Sequence, residues 1–318
     1  MKDSFGRNIN YLRISVTDLC NLRCKYCMPE EGISKVCHED ILSIEELERI
    51  AKIFVSLGVN KIRLTGGEPL VRKGIIDIVN RIGRLDGIKD FAMTTNGILL
   101  RKYAKDLKAK GLNRVNISLD TLDEEKYRYI TRGGRLKDVL EGIEVAKEMG
   151  LTPIKINTVL IGGFNDDEIE KLVNLTEKTE VDIRFIELMP IGEAIDLKSE
   201  HYLPNRLVLE KVPELIPVER EDISSPALYY RLPNGKGKVG IINPISCKFC
   251  EDCNRVRLTA QGKLKLCLHS NEEIDLKEAL RSGKDIEKII LAAIGKKPGS
   301  HYLEEGKYVT KKMYQIGG

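Results

Sequence analysis

The first 190 residues alternate short apolar segments with amphipathic segments, and this alternation limits the fold more than any other feature of the sequence. Six strands are predicted, at residues 11–16, 61–65, 91–95, 114–119, 153–160 and 182–189. Amphipathic helices are predicted from Ser43, with a capping box to Glu46, and near residues 75–85, 99–110, 136–149 and 166–179. Six strand–helix units in series predict an α/β fold with a parallel sheet. Because eight units close a full barrel, we expect a partial (βα)6 barrel.

Polar and glycine-rich motifs follow the predicted strands, at the ends where a parallel barrel carries its active site. They are Gly66-Gly67-Glu68-Pro69, Thr94-Thr95-Asn96-Gly97, Ser118-Leu119-Asp120, and Glu187 with Met189 and Pro190. We expect these motifs to meet on one face of the sheet. Beyond residue 190 the pattern changes, and residues 192–245 are predicted to be irregular because prolines recur there. A short strand-like stretch follows at residues 256–268.

Three cysteines, Cys20, Cys24 and Cys27, lie in the run TDLCNLRCKYCMP at C-x3-C-x2-C spacing. Three thiolates on one tight loop can hold three corners of a cubane iron–sulfur cluster, which leaves one iron open to bind and reduce a ligand. A structural zinc site usually has four protein ligands, and a disulfide would leave one thiol over, so both alternatives fit less well. The spacing therefore favours an iron–sulfur cluster.

A second set of cysteines lies near the end of the chain, in PISCKFCEDCNRVRLTAQGKLKLCL. It consists of Cys247, Cys250, Cys253 and Cys267, and four cysteines at this spacing could also close a zinc site. Of the 8 cysteines in the chain, only Cys37 stands apart from the two sets. Clustered cysteines in a reducing compartment indicate metal binding rather than disulfides.

The composition is that of an ordinary globular enzyme, since 42% of the 318 residues are hydrophobic and 31% are charged. No apolar run approaches the ~20 residues that cross a bilayer, and the N-terminus is polar, so we expect a cytoplasmic protein. A net charge of +4 is too weak a bias to indicate nucleic-acid binding. The chain lacks a G-x4-G-K-[S/T] phosphate loop, which argues against an ordinary GTPase.

Motifs along nearly the whole chain resemble those of radical S-adenosylmethionine (SAM) enzymes and, among these, of the GTP 3′,8-cyclase family of molybdenum cofactor biosynthesis. The motifs are YLRISVTDLCNLRCKYCMP, KIRLTGGEPLVR, TTNG, NISLDTL, PIKINTVLIGGFNDDE, IRFIELMP, FCEDCNRVRLTAQGKLKLC and the ending MYQIGG. The resemblance implies a radical SAM partial barrel at residues 1–190. It also implies a C-terminal extension at residues 191–318 that carries a second cluster and binds substrate. That extension ends in Gly317-Gly318, a tail that reaches the active site in the family.

The resemblance further implies two [4Fe-4S] clusters and SAM as cofactors. The first cluster would be bound by Cys20, Cys24 and Cys27, and the second by Cys250, Cys253 and Cys267. Contacts to SAM would come from Tyr26, Gly67, Ser118 and Met189. Contacts to GTP would come from Arg13, Arg63, Thr94, Lys155, Arg255, Val256 and Arg257. Cys247 departs from the family pattern, as either a bystander or a fourth cluster ligand.

Cationic side chains interrupt several of the predicted apolar strands, among them Arg63, Lys155 and Arg184. A buried cation needs a partner, and the triphosphate of GTP carries about four negative charges. A bound phosphate therefore explains these cationic side chains better than their chance occurrence in apolar strands. Lys61 is a further candidate for the same role. The Glu68 carboxylate, for its part, could accept hydrogen bonds from the SAM ammonium group.

The implied reaction converts GTP to (8S)-3′,8-cyclo-7,8-dihydroguanosine 5′-triphosphate, catalysed by a radical SAM lyase. The implied partners are GTP, an electron donor and, downstream, cyclic pyranopterin monophosphate synthase, with no nucleic acid or membrane. The protein would be a monomer or homodimer. One alternative is a radical SAM enzyme that modifies a peptide, which gives no reason for the NRVR run or the glycine tail. Another is a non-catalytic iron–sulfur electron carrier or zinc-stabilised binding module, which the strand–helix series and the GGEP turn disfavour.

Overall fold

The computed structural model describes residues 1–34, 37–301, 303 and 308–317. The strands are β1 (Tyr11–Ser15), β2 (Lys61–Thr65), β3 (Asp90–Thr95), β4 (Arg114–Ser118), β5 (Lys155–Leu160), β6 (Asp182–Glu187), β7 (Ile216–Pro217), β8 (Ala227–Arg231), β9 (Val239–Ile242), β10 (Arg255–Leu258), β11 (Lys263–Lys265) and β12 (Ile274–Asp275). The helices are α1 (Ile44–Ser56), α2 (Ile75–Gly83), α3 (Leu100–Ala109), α4 (Glu124–Thr131), α5 (Leu136–Glu148), α6 (Ile169–Val173), α7 (Leu175–Lys178), α8 (Arg206–Lys211), α9 (Leu276–Arg281) and α10 (Ile286–Ile294).

All of these strands belong to one sheet, in the order β12-β11-β10-β1-β2-β3-β4-β5-β6-β9-β8-β7. Strands β1 to β6 are neighbours in chain order and run parallel. The extension adds a parallel strand at each end, with β10 beside β1 and β9 beside β6. The outer strands pair antiparallel. The predicted α/β fold with a parallel sheet is confirmed, and the extension lengthens the six-stranded series at both ends.

Local signals account for most of the elements within the first 190 residues. The Ser43 hydroxyl accepts a hydrogen bond from the Glu46 backbone N–H, and the Glu46 carboxylate accepts one from the Ser43 N–H, so the predicted capping box is confirmed. Helices pack their apolar faces on the sheet and form one continuous core, in which Phe54, Phe91 and Phe185 are fully buried. This core fixes the strand ends against which the site is built.

Two of the predictions from the sequence were wrong in detail, and one helix was missed. The helix predicted at 166–179 is broken into a 3₁₀ turn and the short helices α6 and α7, which meet at Asn174. Helix α4 was not predicted, although Asp123 caps it by accepting a hydrogen bond from the Lys126 N–H. Residues 192–245 are not irregular, because α8 and β7 to β9 lie there. These strands are too short for periodicity to reveal, and they are fixed by pairing of β9 with β6 and of β7, β8 and β9 with one another.

The register of the sheet places three arginines side by side on neighbouring strands. Arg13 of β1 is opposite Arg63 of β2 and opposite Arg257 of β10. Adjacent strands lie about 4.8 Å apart, so equivalent side chains on one face are close neighbours. Three like charges in a row are unfavourable unless an anion offsets them, and this row faces the interior of the curved sheet.

No helix among the described residues is long and apolar enough to cross a membrane.

Candidate active site

One cavity inside the curved sheet brings the two cysteine sets together. It has a volume of about 370 Å³, and six cysteines line it, namely Cys20, Cys24, Cys27, Cys250, Cys253 and Cys267. Cys247 and Cys37 are exposed and do not line this cavity. These six are the cysteines that the family resemblance assigns to clusters. Cys247 differs from Cys250 and Cys253 because it lies outside the cavity.

The loop that carries the first cysteine set is fastened to the C-terminal end of α4. The backbone N–H groups of Arg23 and Lys25 donate to the carbonyls of Thr131 and Ile130 at 3.1 and 2.9 Å. The Arg132 guanidinium then donates to the carbonyls of Arg23 and Met28. Helix α4 therefore holds both sides of the Cys24–Cys27 turn, so the thiols are presented by a braced loop.

The first cysteine set lies in an apolar and acidic environment. Burial raises the pKa of the Cys20 thiol to about 11, and the nearby Glu68 adds to this effect. Burial also raises the pKa of Cys27 to about 12, together with Cys20, Asp120 and Glu193. Such thiols favour the protonated form until a positive charge offsets the thiolates. This donor set therefore fits a cationic metal cluster, whose irons supply that charge.

The Gly66-Gly67 turn lets β2 approach the cysteine loop closely. A Cβ on Gly66 would lie 2.6 Å from the Thr17 carbonyl oxygen, and one on Gly67 would lie 2.5 Å from that of Leu19. No side chain fits there, so only glycine allows this packing. Gly67 also lines the cavity beside the first cysteine set.

Glu68 joins two strand ends through hydrogen bonds within the protein. It is buried, and its carboxylate accepts hydrogen bonds from the backbone N–H groups of Leu70 and Asn96 and from the Thr95 hydroxyl. Burial raises its pKa to about 7, although these hydrogen bonds act in the opposite direction. Glu68 therefore ties the end of β2 to the end of β3, and a contact of its carboxylate to the SAM ammonium stays a prediction.

The other residues assigned to SAM lie close to the first cysteine set. Tyr26, Ser118 and Met189 all line the same cavity. The Tyr26 hydroxyl donates to the Asp120 carboxylate at 2.7 Å, which links the cysteine loop to the end of β4. Burial raises the pKa of Asp120 to about 6. Asp120 was noticed in the sequence only as part of a motif, and its contact to Tyr26 could not be foreseen.

A second cavity, of about 430 Å³, lies at the opposite ends of the strands. The first residues of all six core strands line it, namely Tyr11, Lys61, Asp90, Arg114, Lys155 and Asp182. Four arginines line both cavities and so lie between them, namely Arg13, Arg63, Arg184 and Arg255. The motifs predicted to share one face do so, because Gly67, Thr94, Ser118 and Glu187 all line the first cavity, whereas the candidate cations Lys61 and Lys155 line the second.

Several buried polar atoms point into these cavities without a hydrogen-bond partner in the described part of the chain. They are the Thr94 hydroxyl, the Tyr11 hydroxyl and the Nε atoms of Arg63, Arg184 and Arg255. Burial lowers the pKa of Arg63 to about 10. Orphaned donors and crowded cations are both costly in a closed core. An anionic ligand with many acceptor oxygens would satisfy both.

Lys155 and Lys61 line only the second cavity, and both have protein partners. The Lys155 ammonium lies 3.4 Å from the Asp182 carboxylate and donates to the Tyr229 hydroxyl at 3.2 Å. Lys61 forms an ion pair with Asp222 at 2.6 Å. The side chain of Val256 is fully buried in the hydrophobic core between Arg255 and Arg257, so the contact to GTP predicted for this residue would fall to its backbone. Strand alternation explains this, because the two arginines take the inner face.

The C-terminal tail enters the site next to the arginine row. The Gly317 carbonyl accepts hydrogen bonds from Arg257 Nη1 at 3.1 Å and Arg13 Nη2 at 3.4 Å. Gly317 has a φ of +74°, and a Cβ there would lie 2.8 Å from the Thr65 hydroxyl. Gly318 lies outside the described residues.

The second cysteine set is surrounded by groups that were not singled out in the sequence. The rings of His269 and His301 lie with centroids 4.6 Å apart and planes tilted by 58°, and both line the cavity. Their sequence positions gave no sign of this contact. The carbonyl of Cys250 accepts a hydrogen bond from Arg7 at 2.7 Å. Among the described residues, no three Cys, His, Asp or Glu side chains converge to hold a single metal ion.

A larger groove, of about 610 Å³, lies outside the sheet. Side chains of α5 and α7 line it, with Leu119 and Ile156 beneath them. No cysteine lines this groove. Its size therefore does not make it a competing site for the chemistry of the thiols.

Comparisons with known proteins cover the whole chain. The radical SAM superfamily model matches residues 14–176, and the model described as Molybdenum Cofactor Synthesis C matches residues 181–303. A protein of Peptoclostridium acidaminophilum named GTP 3′,8-cyclase is 60% identical over 99% of this chain and 98% of its own length. A protein of the same name from Alkaliphilus oremlandii is 55% identical over the full length of both.

Solved structures share the fold at much lower identity. SuiB of Streptococcus suis bound to S-adenosylmethionine has a TM-score of 0.63 and 17% identity, over 89% of this chain and 65% of its own. Methylornithine synthase has a TM-score of 0.53 and 18% identity, over 65% of this chain and 63% of its own. At these identities the likeness shows the fold alone. The full-length identity of 60% to a named relative shows the family, and the chain belongs to the GTP 3′,8-cyclase family of the radical SAM superfamily.

Proposed function

We propose that this protein is a radical SAM lyase that converts GTP to (8S)-3′,8-cyclo-7,8-dihydroguanosine 5′-triphosphate, the first step of molybdenum cofactor biosynthesis. The observation that carries the proposal is that two cysteine sets and an arginine row line one cavity. The names of relatives at 50–60% identity support the same substrate and product.

Membership of the superfamily implies SAM and a [4Fe-4S] cluster, for which Cys20, Cys24 and Cys27 are the proposed ligands. We extend this to a second [4Fe-4S] cluster on Cys250, Cys253 and Cys267. When bound, the first cluster and SAM would supply a 5′-deoxyadenosyl radical able to take the 3′ hydrogen of the GTP ribose. After the sugar closes on C8 of guanine, the nucleotide radical must gain one further electron, from the electron donor, and one proton to give the dihydro product. The thiols of both sets line the same cavity, which supports this assignment.

The residues of the chain bind and orient the two substrates. Tyr26, Gly67, Ser118 and Met189 would hold SAM at the first cysteine set. Arg13, Arg63, Arg255, Arg257 and Thr94 would hold GTP between the sets. Lys155 would reach the phosphates from the second cavity, with Lys61 and Arg184 as further candidates. The reaction needs no strong side-chain base in its first step, so positioning and charge are the contribution of the protein.

The expected partners follow from the proposed reaction. An electron donor must reduce the first cluster, and cyclic pyranopterin monophosphate synthase would take the product. The tail residue Gly317 contacts two of the proposed GTP-binding arginines, which supports a role for the tail near the substrate.

The test is turnover of the reconstituted protein without oxygen, with dithionite, SAM and GTP. We expect 5′-deoxyadenosine and a cyclised nucleotide in equal amounts. ITP or ATP in place of GTP should give much less product, because the second cluster is expected to hold the purine. Formation of 5′-deoxyadenosine without any GTP-dependent product would overturn the proposed substrate but leave the radical SAM assignment intact.

A further inference from the structure

Lys297 is a buried cation beside the second cysteine set, and no carboxylate pairs with it among the described residues. Only 2% of the residue is exposed. Its ammonium donates to two backbone carbonyls, those of Arg255, at 3.0 Å, and of Leu266. Arg255 lies two residues after Cys253, and Leu266 lies directly before Cys267. The lysine therefore bridges the two segments that carry these thiols.

A second buried lysine of the extension has the carboxylate partner that Lys297 lacks. Lys265 is fully buried, but it lies 3.6 Å from the Glu273 carboxylate, which also pairs with Lys311. A buried charge without a counter-charge costs several kcal/mol, so buried lysines are normally paired. The carbonyls that Lys297 bonds lie within two residues of Cys253 and directly before Cys267, so the thiolates of a bound cluster would be the counter-charge that its position offers.

Cationic side chains of the neighbouring strand add to the charge of Lys297. Arg255 and Arg257 lie on β10, just after Cys253, and both line the cavity together with Cys253 and Cys267. The loop of the first cysteine set contacts a carboxylate instead, since the Tyr26 hydroxyl donates to Asp120 at 2.7 Å.

We propose that Lys297 is the fixed counter-charge of the second cysteine set, and that its charge makes the cluster bound there easier to reduce. This inference rests on the second cluster of the proposed function. A reduced cluster carries one more negative charge than an oxidised one. A nearby buried cation therefore stabilises the reduced form and raises the reduction potential, as local charge does for iron–sulfur centres in general. Lys297 is in this sense a positioning and tuning residue, since it need not touch the substrate.

The test measures reduction of the second cluster by itself. The full chain carrying Cys24→Ala, reconstituted with iron and sulfide, should hold only the second cluster. Its reduced fraction is followed by electron paramagnetic resonance at a series of fixed potentials. Three further variants are then compared in this background. Lys297→Gln keeps a donor for the carbonyls without the charge, Lys297→Arg keeps the charge, and Lys296→Gln removes an exposed charge one residue away.

We expect Lys297→Gln to lower the ratio of reduced to oxidised cluster at least tenfold at fixed potential, which is about 59 mV for a one-electron couple. Lys297→Arg should stay within about threefold of the parent, and Lys296→Gln should match it. An unchanged ratio in Lys297→Gln, or an equal loss in Lys297→Arg, would overturn the inference.

Iron content decides the case in which Lys297→Gln cannot hold a cluster. Iron retained by Lys297→Arg would then support a role for the charge. Loss of iron from both Lys297→Gln and Lys297→Arg would show that only the shape of lysine matters and would overturn the inference. A parent chain that takes up no iron at all would instead overturn the proposed second cluster itself.

Discussion

Cys247 and Cys250 are three residues apart, but the fold gives them different surroundings. Cys250 lines the cavity and Cys247 is exposed outside it. We therefore expect Cys247→Ser to keep both clusters, or about eight irons per chain, and Cys250→Ser to fall to about four. Iron analysis after anaerobic reconstitution measures this. A loss of iron in Cys247→Ser equal to that in Cys250→Ser would make Cys247 a ligand after all.

Arg255 and Arg257 extend from the inner face of β10, where each now bonds a backbone carbonyl. Arg255 donates to Ser224 and Arg257 to Gly317. A charge-assisted hydrogen bond contributes about 1.5–3 kcal/mol, so each change to Ala should weaken GTP binding by roughly 10- to 150-fold. SAM binding should not change, and Lys should restore only part of the loss because it offers a point charge instead of a fork.

The matched control for these two arginines is Arg49→Ala, since Arg49 is exposed on α1. Titration of reconstituted protein with GTP and, separately, with SAM gives both affinities. If GTP affinity is the same in both β10 variants as in Arg49→Ala, the NRVR run is structural and other cations hold the phosphates.

Glu68 should make stability depend on pH in a defined window. Its pKa is raised from an ordinary value near 4.5 to about 7, so the folded chain keeps the proton that the unfolded chain loses. Its contribution is fully present below pH 4.5 and is lost as the pH rises to about 7, on the order of 3 kcal/mol. Urea unfolding of the cluster-free chain should show this loss.

Glu68→Gln removes the titration while it keeps the size of the side chain. The difference in unfolding free energy between wild type and this variant should change across pH 4.5–7 and stay level above it. Glu125→Gln, at an exposed position of α4, is the control. A difference that does not vary with pH would show that Glu68 remains ionised when buried.

At the scale of elements, the C-terminal tail is a segment whose role in catalysis can be tested without disturbing the fold. Gly317 contributes no side chain to the core, but its carbonyl bonds two arginines of the site. We expect deletion of Gly317 and Gly318 to leave the fold and iron content intact while product formation falls at least tenfold. Gly317→Ala should act in the same direction, because its Cβ would meet the Thr65 hydroxyl and because φ is positive. If the chain that lacks Gly317 and Gly318 formed the cyclised product at the full rate, the tail would have no role in catalysis.

The elements that could be predicted are those fixed by local signals. The strands from Tyr11 to Glu187 and the capped helix α1 follow from periodicity and caps, and the six core strands were predicted to within two residues at each end. The short strands β7 to β9 were not predicted, because they exist only through pairing with β6 and with each other.

The same division applies to the site. The six cysteines of the cavity were named from spacing and resemblance, since those signals are local in sequence. Lys297, His269 and Asp120 could not be assigned roles, because each acquires its importance from a partner far along the chain. Lys297 in particular stands in a KKP run that has the appearance of ordinary surface charge. Burial, which no local pattern reveals, is what makes it unusual.

At the scale of the whole molecule, the extension completes the sheet on both sides of the core. Strand β9 covers the free edge of β6, and β10 covers that of β1. A chain cut after residue 190 would therefore expose two parallel edge strands, which are templates for aggregation. We expect residues 1–190 expressed alone to be insoluble or aggregated. Sedimentation beside the full chain measures this, and a monomeric, folded fragment would contradict it.

The two strand pairs that join the extension to the core also limit the construction of hybrid proteins from two relatives. A hybrid that takes residues 191–318 from a relative must match it to the recipient at two separate joints, β6 with β9 and β1 with β10, although the chain itself is cut only once. The second joint brings Arg257 against Arg13, so a poor match there would misplace substrate-binding cations even if the hybrid folds. Residues 191–318 therefore cannot be exchanged independently of the core. We expect substitutions at the two strand pairs to occur on both partner strands together.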